Sequence, residues 1–222
     1  MLHALILAAG RGRRLQPLTD STPKALLPVG AKPLVERHLE RLAAQGFDQV
    51  VINLAWLGGQ IREHLGDGRR FGLRIRYSDE SEGALETGGG IVQALALLQS
   101  DPFIVINGDI LCDFNYASLR VPEPDDMHLV LVKNPPHHRR GDFALEHGRL
   151  LAPGAGAQTW TYAGIGCFRR RAFDALKAGR FPLLPVIRRA LTANLASAEI
   201  HRGQWVDVGS PERLAQARRR AD

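Results

Sequence analysis

The chain of 222 residues predicts an α/β domain, and three observations carry the prediction. Short apolar runs alternate with amphipathic segments, the rhythm from which parallel sheets covered by helices are built. The first run ends in small residues and then Gly10-Arg11-Gly12-Arg13-Arg14, as a buried strand does when it opens into a loop whose backbone can approach a phosphate. A later continuous run, Val105-Ile106-Asn107-Gly108-Asp109, delivers a carboxylate just past a strand end, where ligands of open α/β sheets collect.

In chain order, Leu2 to Leu7 reads as the first strand. Pro33 to Gln45 reads as a helix, with Leu34, Val35, His38, Leu39 and Leu42 at helix-face spacing and Gly46 at its end. Asp48 to Asn53 is a strand, Leu57 to Leu65 a short helix closed by Gly66, and Leu73 to Tyr77 a half-buried strand alternating apolar and basic residues. A helix runs from Thr87 to about Gln99, and Pro102 to Ile106 has the unbroken apolar character of a strand buried on both faces.

Beyond about Asp113 the rhythm loosens. Met127 to Lys133 and Thr161 to Phe168 read as core strands, and Asn134 to Gly156, rich in Pro, Gly, His and Arg, as a loop and short hairpin. Helices are expected at Arg170 to Lys177, Pro182 to Leu191 and Ser210 to Arg220, the last with a serine cap and a first-turn proline. There is no internal repeat and no linker long enough to divide the chain, so one domain is expected.

Composition narrows the function classes. At 45% hydrophobic the chain can bury a full core. No apolar run is long enough to span a membrane and no signal peptide is evident. Two cysteines, Cys112 and Cys167, make neither a metal-ligand spacing nor a disulfide framework, so a cytoplasmic protein is expected. The formal charge of +6 raises nucleic acid as a partner, but no basic stripe is interleaved with stacking aromatics. The charge suits attraction of small anions instead.

The glycine loop reads as a triphosphate cradle. Ala9, Gly10 and Gly12 are expected to meet the nucleotide, the glycines leaving backbone amides uncovered; Arg11, Arg13 and Arg14 add fixed charge, and Lys24 follows a proline-stiffened turn as a mobile ammonium. A dinucleotide fingerprint would need glycine at Leu15, and a P-loop would need Gly-Lys-Ser/Thr after its spacer; neither is met. A solvent-exposed basic turn is the alternative that the glycines alone leave open.

The string Leu7-Ala8-Ala9-Gly10-x-Gly12-x-Arg14-Leu15-x-Pro17-Leu18-Thr19, with Pro23-Lys24 and Pro28 following, resembles the signature of the sugar-1-phosphate nucleotidyltransferases, which join a nucleoside triphosphate to a sugar 1-phosphate and release pyrophosphate. That family usually has Thr at the position of Arg13. The resemblance implies a Rossmann-like three-layer nucleotidyltransferase domain with a mixed, mostly parallel central sheet. It covers nearly the whole chain, with nucleotide handled by about residues 1–112 and sugar by about 113–222.

Four further motifs gain roles from the resemblance. Asp109, by itself a turn aspartate as readily as a ligand, is implied to bind Mg2+, with Asn107 facing the sugar phosphate. Asp207, in Trp205-Val206-Asp207-Val208-Gly209, is implied as the second ligand; one or two protein carboxylates suffice for Mg2+ when phosphate and water complete the shell. Leu85-Glu86-Thr87-Gly88-Gly89-Gly90 occupies the place of the base-recognition loop, where relatives often carry Gly at Glu86. Glycines so poor for a helix suggest that something approaches the backbone closely, and a nucleobase edge would qualify. Glu86, Thr87, Gly88 and Gly89 are therefore expected to bind nucleotide.

His137-His138-Arg139-Arg140-Gly141-Asp142-Phe143, together with Leu-Glu-Thr-Gly-Gly-Gly, resembles one subgroup, the N-acetylmuramate 1-phosphate uridylyltransferases of peptidoglycan recycling. Asp142 and Gly164, the latter in Tyr162-Ala163-Gly164-Ile165-Gly166, are then implied to contact the sugar, with Arg14, Lys24, Asp109 and Asp207 catalytic. UTP and N-acetylmuramate 1-phosphate are the implied substrates, and a monomer or weak homo-oligomer without nucleic-acid or membrane partners the implied state. Other readings are a mannose or glucose 1-phosphate transferase using GTP or dTTP, and a non-catalytic regulatory subunit that binds nucleotide sugars. A salt-sensitive nucleic-acid binder is the reading of another class.

Overall fold

The computed structural model describes residues 3–80 and 83–221. Strand β1 (Ala4–Leu7) is followed by the glycine loop, a one-turn helix α1 (Leu18–Ser21), and a small ribbon of β2 (Pro28–Val29) and β3 (Lys32–Pro33). Then come α2 (Leu34–Ala44), β4 (Gln49–Leu54), α3 (Gly58–Leu65), β5 (Arg74–Asp79), α4 (Glu86–Ala94), β6 (Phe103–Asn107) and β7 (Ile110–Cys112). The second half contributes β8 (Met127–Val132), the hairpin β9 (Phe143–Glu146) and β10 (Arg149–Leu151), the long β11 (Thr159–Phe168), α5 (Leu184–Thr192), β12 (Ala196–Ile200), β13 (Trp205–Asp207) and α6 (Pro211–Ala221).

Nine strands make one sheet in the order β5-β4-β1-β6-β11-β8-β12-β10-β9. The four strands from β5 to β6 are all parallel. β11 then runs antiparallel to both β6 and β8, and β12 returns parallel to β8. The sheet is mixed as expected, with its parallel pairing concentrated in the first half. Alternation along the strands fills two faces: Ala4, Ile6, Ile104 and Ile106 pack with Val35, Leu39 and Leu42 of α2, whereas Leu5, Phe103 and Val105 pack with Ile91 of α4 and Val186 and Ile187 of α5. The result is three layers. No helix among the described residues is long and apolar enough to cross a membrane.

The expected elements recur within a residue or two, with three exceptions. The helix expected from Thr87 to about Gln99 keeps α form only to Ala94 and passes into a 3-10 turn, Leu95–Leu97. Leu2, the expected start of β1, lies outside the described residues. Arg170 to Lys177 is not an α-helix but a short 3-10 turn, Arg170–Phe173. Phe173 is drawn into the core against Phe103 and Phe168, and one turn so anchored, followed by Gly179, is too short to repay helix nucleation. The strand β12, Ala-Ser-Ala-Glu-Ile, carries no strand-forming signature of its own; its pairing with β8 makes it a strand.

His38 of α2 is buried to 3% exposure, and its Nδ1 pairs with the Tyr116 hydroxyl at 3.1 Å. Burial lowers its pKa from the usual value to about 4. The imidazole stays neutral in the fold and takes a proton on unfolding, so the unfolded state binds more protons and stability rises with pH across roughly pH 4 to 6.5. Urea denaturation is expected to show His38 costing about 1.4 kcal/mol per pH unit on acidification through that window. His38→Met should flatten that part of the profile; an unchanged slope would refute the assignment.

Candidate active site

The carboxyl ends of β1, β4 and β6 lie level, with Leu7 paired to both Asn53 and Asn107. Gly108 passes so close to β1 that a Cβ there would stand 2.8 Å from the Leu7 carbonyl. Above these ends lies a cavity of about 340 Å³ lined by Ala9, Gly10, Gly12, Arg13, Arg14, Lys24, Glu86, Thr87, Asn107 and Asp109. Gly12 adopts φ +68°, and a Cβ would meet the Thr19 methyl at 2.9 Å, so the turn requires glycine. Leu15 next to it is buried with Leu27, Val206, Val208 and Leu214; this anchors the loop and leaves Arg13 and Arg14 exposed.

Asn53 and Glu80 form the wall of this cavity, and neither was singled out from sequence. Asn53 Oδ1 accepts from the Ala8 and Ala9 amides at 2.6 and 3.3 Å, and its Nδ2 donates to Glu80 Oε1 at 2.7 Å. Glu80 Oε2 accepts from the Leu85 amide at 2.7 Å. One buried chain of bonds thus ties the glycine loop to the start of α4. Burial pushes the Glu80 carboxyl up, against the opposing effect of these donors. Both are polar groups at strand ends, the same signal that picked out Asp109.

A second cavity of about 390 Å³ adjoins the first and shares Arg14, Asn107 and Asp109 with it. Asp142, Gly164, Asp207, His137, His138, Tyr162, Trp205 and Arg213 are also among its lining residues. Asp142 is fixed by His138 Nε2 at 2.9 Å and the Tyr162 amide at 2.8 Å. Gly164 has φ +75°, and a Cβ there would stand 2.6 Å from Asn107 Nδ2, so the glycine makes room for Asn107.

Asp109 and Asp207 are brought together by an antiparallel ribbon of β7 and β13, in which Asp207 pairs with Ile110 and the Val208 amide donates to the Asp109 carbonyl at 2.8 Å. Each carboxylate holds a cation. Lys24 Nζ donates to Asp109 Oδ2, and Arg213 Nη1 donates to Asp207 Oδ2 at 2.6 Å. Among the described residues no cluster of three or more His, Cys, Asp or Glu could chelate an ion alone. Two hard oxygen donors beside a phosphate-sized cavity nevertheless fit Mg2+, which keeps its remaining positions for phosphate and water.

Three expected site residues fall elsewhere. Arg11 lies off the cavity: its guanidinium stacks 3.6 Å from the Trp56 ring centroid and donates to Thr19 O at 2.8 Å and Asp20 Oδ1 at 2.9 Å. Gly88 and Gly89 are buried inside α4. What approaches them is the chain's own segment 179–182: a Cβ on Gly88 would meet the Phe181 ring at 2.5 Å, and one on Gly89 the Gly179 carbonyl at 2.0 Å. The close approach inferred from sequence is made in the structure by this segment. Gly89→Ala is expected to cost about 2 kcal/mol in urea unfolding with nucleotide affinity of the folded protein unchanged; a loss of affinity at wild-type stability would return the glycine to the base site. Glu86, by contrast, lines the cavity at φ +61° and is held by Arg180 Nε at 3.2 Å.

Residues 3–138 match the model of the family described as nucleotidyl transferase. The chain belongs to that family. The likeness to sugar-1-phosphate nucleotidyltransferases read from Leu7 to Thr19 is borne out by relatives of this nucleotidyl transferase. It is 47% identical over 223 residues to an N-acetylmuramate alpha-1-phosphate uridylyltransferase of Neisseria meningitidis serogroup B, covering 97% of this chain and 96% of the relative. It is 34% identical over 235 residues to the protein of the same description from Caulobacter vibrioides, covering 99% and 97%. A Bacillus anthracis crystal structure described as a glucose-1-phosphate thymidylyltransferase superposes with a TM-score of 0.87 at 22% identity, covering 100% of this chain and 95% of that one. That likeness carries the fold alone.

Proposed function

We propose that this nucleotidyl transferase joins UTP and N-acetylmuramate 1-phosphate to give UDP-N-acetylmuramate and pyrophosphate, as a cytoplasmic monomer or weak homo-oligomer serving peptidoglycan recycling. The reaction class rests on one observation: two adjoining cavities share Arg14, Asn107 and Asp109, and Asp207 faces the second. The choice of substrates is supported by the two uridylyltransferase relatives. In this reading residues 1–112 supply most of the nucleotide side and 113–222 most of the sugar side, with Gly209 crossing over to line the first cavity.

The sugar phosphate is ionised near neutral pH, so its oxygen attacks the α-phosphorus without a base, and the bond to the β-phosphate breaks as pyrophosphate leaves. The chain's work is alignment and neutralisation. Amides of Gly10 and Gly12 with the Arg14 guanidinium hold the departing pyrophosphate; Arg13, which lines the cavity, adds charge there. Lys24 steadies the α-phosphate. Glu86 and Thr87 border the base, while Asn107, Asp142 and Gly164 border the sugar. Mg2+ held by Asp109 and Asp207 would supply charge neutralisation between the two phosphates.

A matrix of UTP, dTTP and GTP against the 1-phosphates of N-acetylmuramate, glucose and mannose, read by pyrophosphate release, tests this. UTP with N-acetylmuramate 1-phosphate is expected to give the highest kcat/KM; preference for another pair would overturn the substrate reading, and no turnover with any pair would overturn the enzymatic one.

A further inference from the structure

We propose that Arg213 is a two-position cation: in the free enzyme it neutralises Asp207, and once that carboxylate is engaged by a divalent ion, its guanidinium turns to the phosphate of the sugar substrate. The inference rests on the metal and substrate reading above and gives a role to a residue that reading does not use.

The argument begins with burial. The Arg213 side chain is only 12% exposed, and that of Asp207 27%. Arg213 Nη1 donates to Asp207 Oδ2 at 2.6 Å and to His137 Nε2 at 2.6 Å. Asp207 is the one carboxylate it bonds among the described residues. A guanidinium can only donate, so His137 Nε2 is the acceptor in this contact and carries no proton there. The neighbourhood is also rich in positive charge: a Cβ on Gly209 would stand 2.2 Å from Arg213 Nη2 and 3.0 Å from Arg14 Nη2. Two guanidinium groups therefore converge over one glycine, with Asp207 Oδ1 2.9 Å from the same point.

That balance fails as soon as a divalent ion shares Asp207. Arg213 would then be an enclosed cation without its counter-charge, beside a second arginine, and such a state is costly unless an anion arrives. Arg213 and Arg14 both line the sugar-side cavity, and a guanidinium fork matches a phosphate with two parallel hydrogen bonds. The head can move while the stem stays fixed, since α6 is anchored by Leu214 and Ala217 in the core and the Arg213 amide is capped by Ser210 Oγ at 3.4 Å. Metal affinity in the free enzyme is thereby opposed by Arg213, and sugar-phosphate affinity is supported by it.

Mn2+ titrations followed by electron paramagnetic resonance, on the free enzyme without nucleotide, separate the two positions. Arg213→Met is expected to bind Mn2+ about tenfold more tightly than wild type, the release of one charge-assisted hydrogen bond. Its KM for N-acetylmuramate 1-phosphate should rise about tenfold while KM for UTP moves little. Arg213→Lys, which keeps the charge and loses the fork, should fall between the two in both measurements and serves if the methionine variant does not fold. Mn2+ binding in Arg213→Met equal to or weaker than wild type would overturn the proposal, as would an equal rise in both KM values. Asp207→Asn should abolish the Mn2+ site in wild-type background; if it does not, the metal reading itself fails.

Discussion

Asp109→Ala and Asp207→Ala are each expected to lower kcat by about 10³-fold or more, the scale lost when the main charge stabilisation of a transferring phosphoryl group is removed, while the fold persists. Asp207 ends β13 and Asp109 immediately precedes its partner strand β7, and both line one cavity, so neither can substitute for the other. The cost to folding is smaller. Asp109→Ala leaves Lys24, 13% exposed, without its carboxylate, and Asp207→Ala does the same to Arg213; a penalty of about 1–3 kcal/mol each is what a stranded charged donor implies, within what a domain of this size tolerates. Steady-state pyrophosphate release alongside a melting curve checks both parts. Near-wild-type turnover in either variant would remove the metal from the account.

Lys24→Met is expected to lower kcat by about 10²- to 10³-fold, with a smaller change in KM for UTP. Lys24 opens a tight turn, Lys24–Leu26, fixed by the Leu26 amide on the Pro23 carbonyl at 2.8 Å, so its ammonium is presented from a rigid base. Its low exposure means that charge placed there is poorly screened. Arg11 offers the contrast. Stacked on Trp56 and tied to Asp20, it cannot reach the cavity without abandoning both, and Arg11→Ala should change kcat less than tenfold. Equal losses in the two variants would mean that the loop acts through its overall charge and not through aimed groups.

The sequence made the parallel half of the fold legible because each strand there is an unbroken apolar run and each helix carries an apolar stripe, as in Val50 to Ile52 or Leu34 to Leu42. The second half was harder to read. β12 has an Ala-Ser-Ala core that becomes strand only by lying between β8 and β10, and the Arg170 turn has helix-like composition but a phenylalanine committed to the core. At the site, Gly12 is announced by its turn and Asp109 by its place after an apolar strand, whereas Asp207 is picked out by the resemblance and not by its spacing. Asn53 and Glu80 also stand at strand ends, but a lone Asn or Glu there carries no motif that marks it. The triple glycine of α4 signals a close approach to the backbone, and in the structure the segment 179–182 makes that approach. Packing against Phe181, some ninety residues on, leaves no local trace. Arg213 and His137 meet only through the folding of two distant segments, which no spacing rule reports.

The loop near the start of the chain is pinned through Leu15 by residues made last, Val206, Val208 and Leu214, so the grip at the front is completed only when the final strand and helix have packed. Because the last strand and helix carry the second carboxylate, and Leu214 and Val206 help to pin the first loop through Leu15, loss of a short tail to a protease would disarm the enzyme as completely as a change at the reacting phosphates.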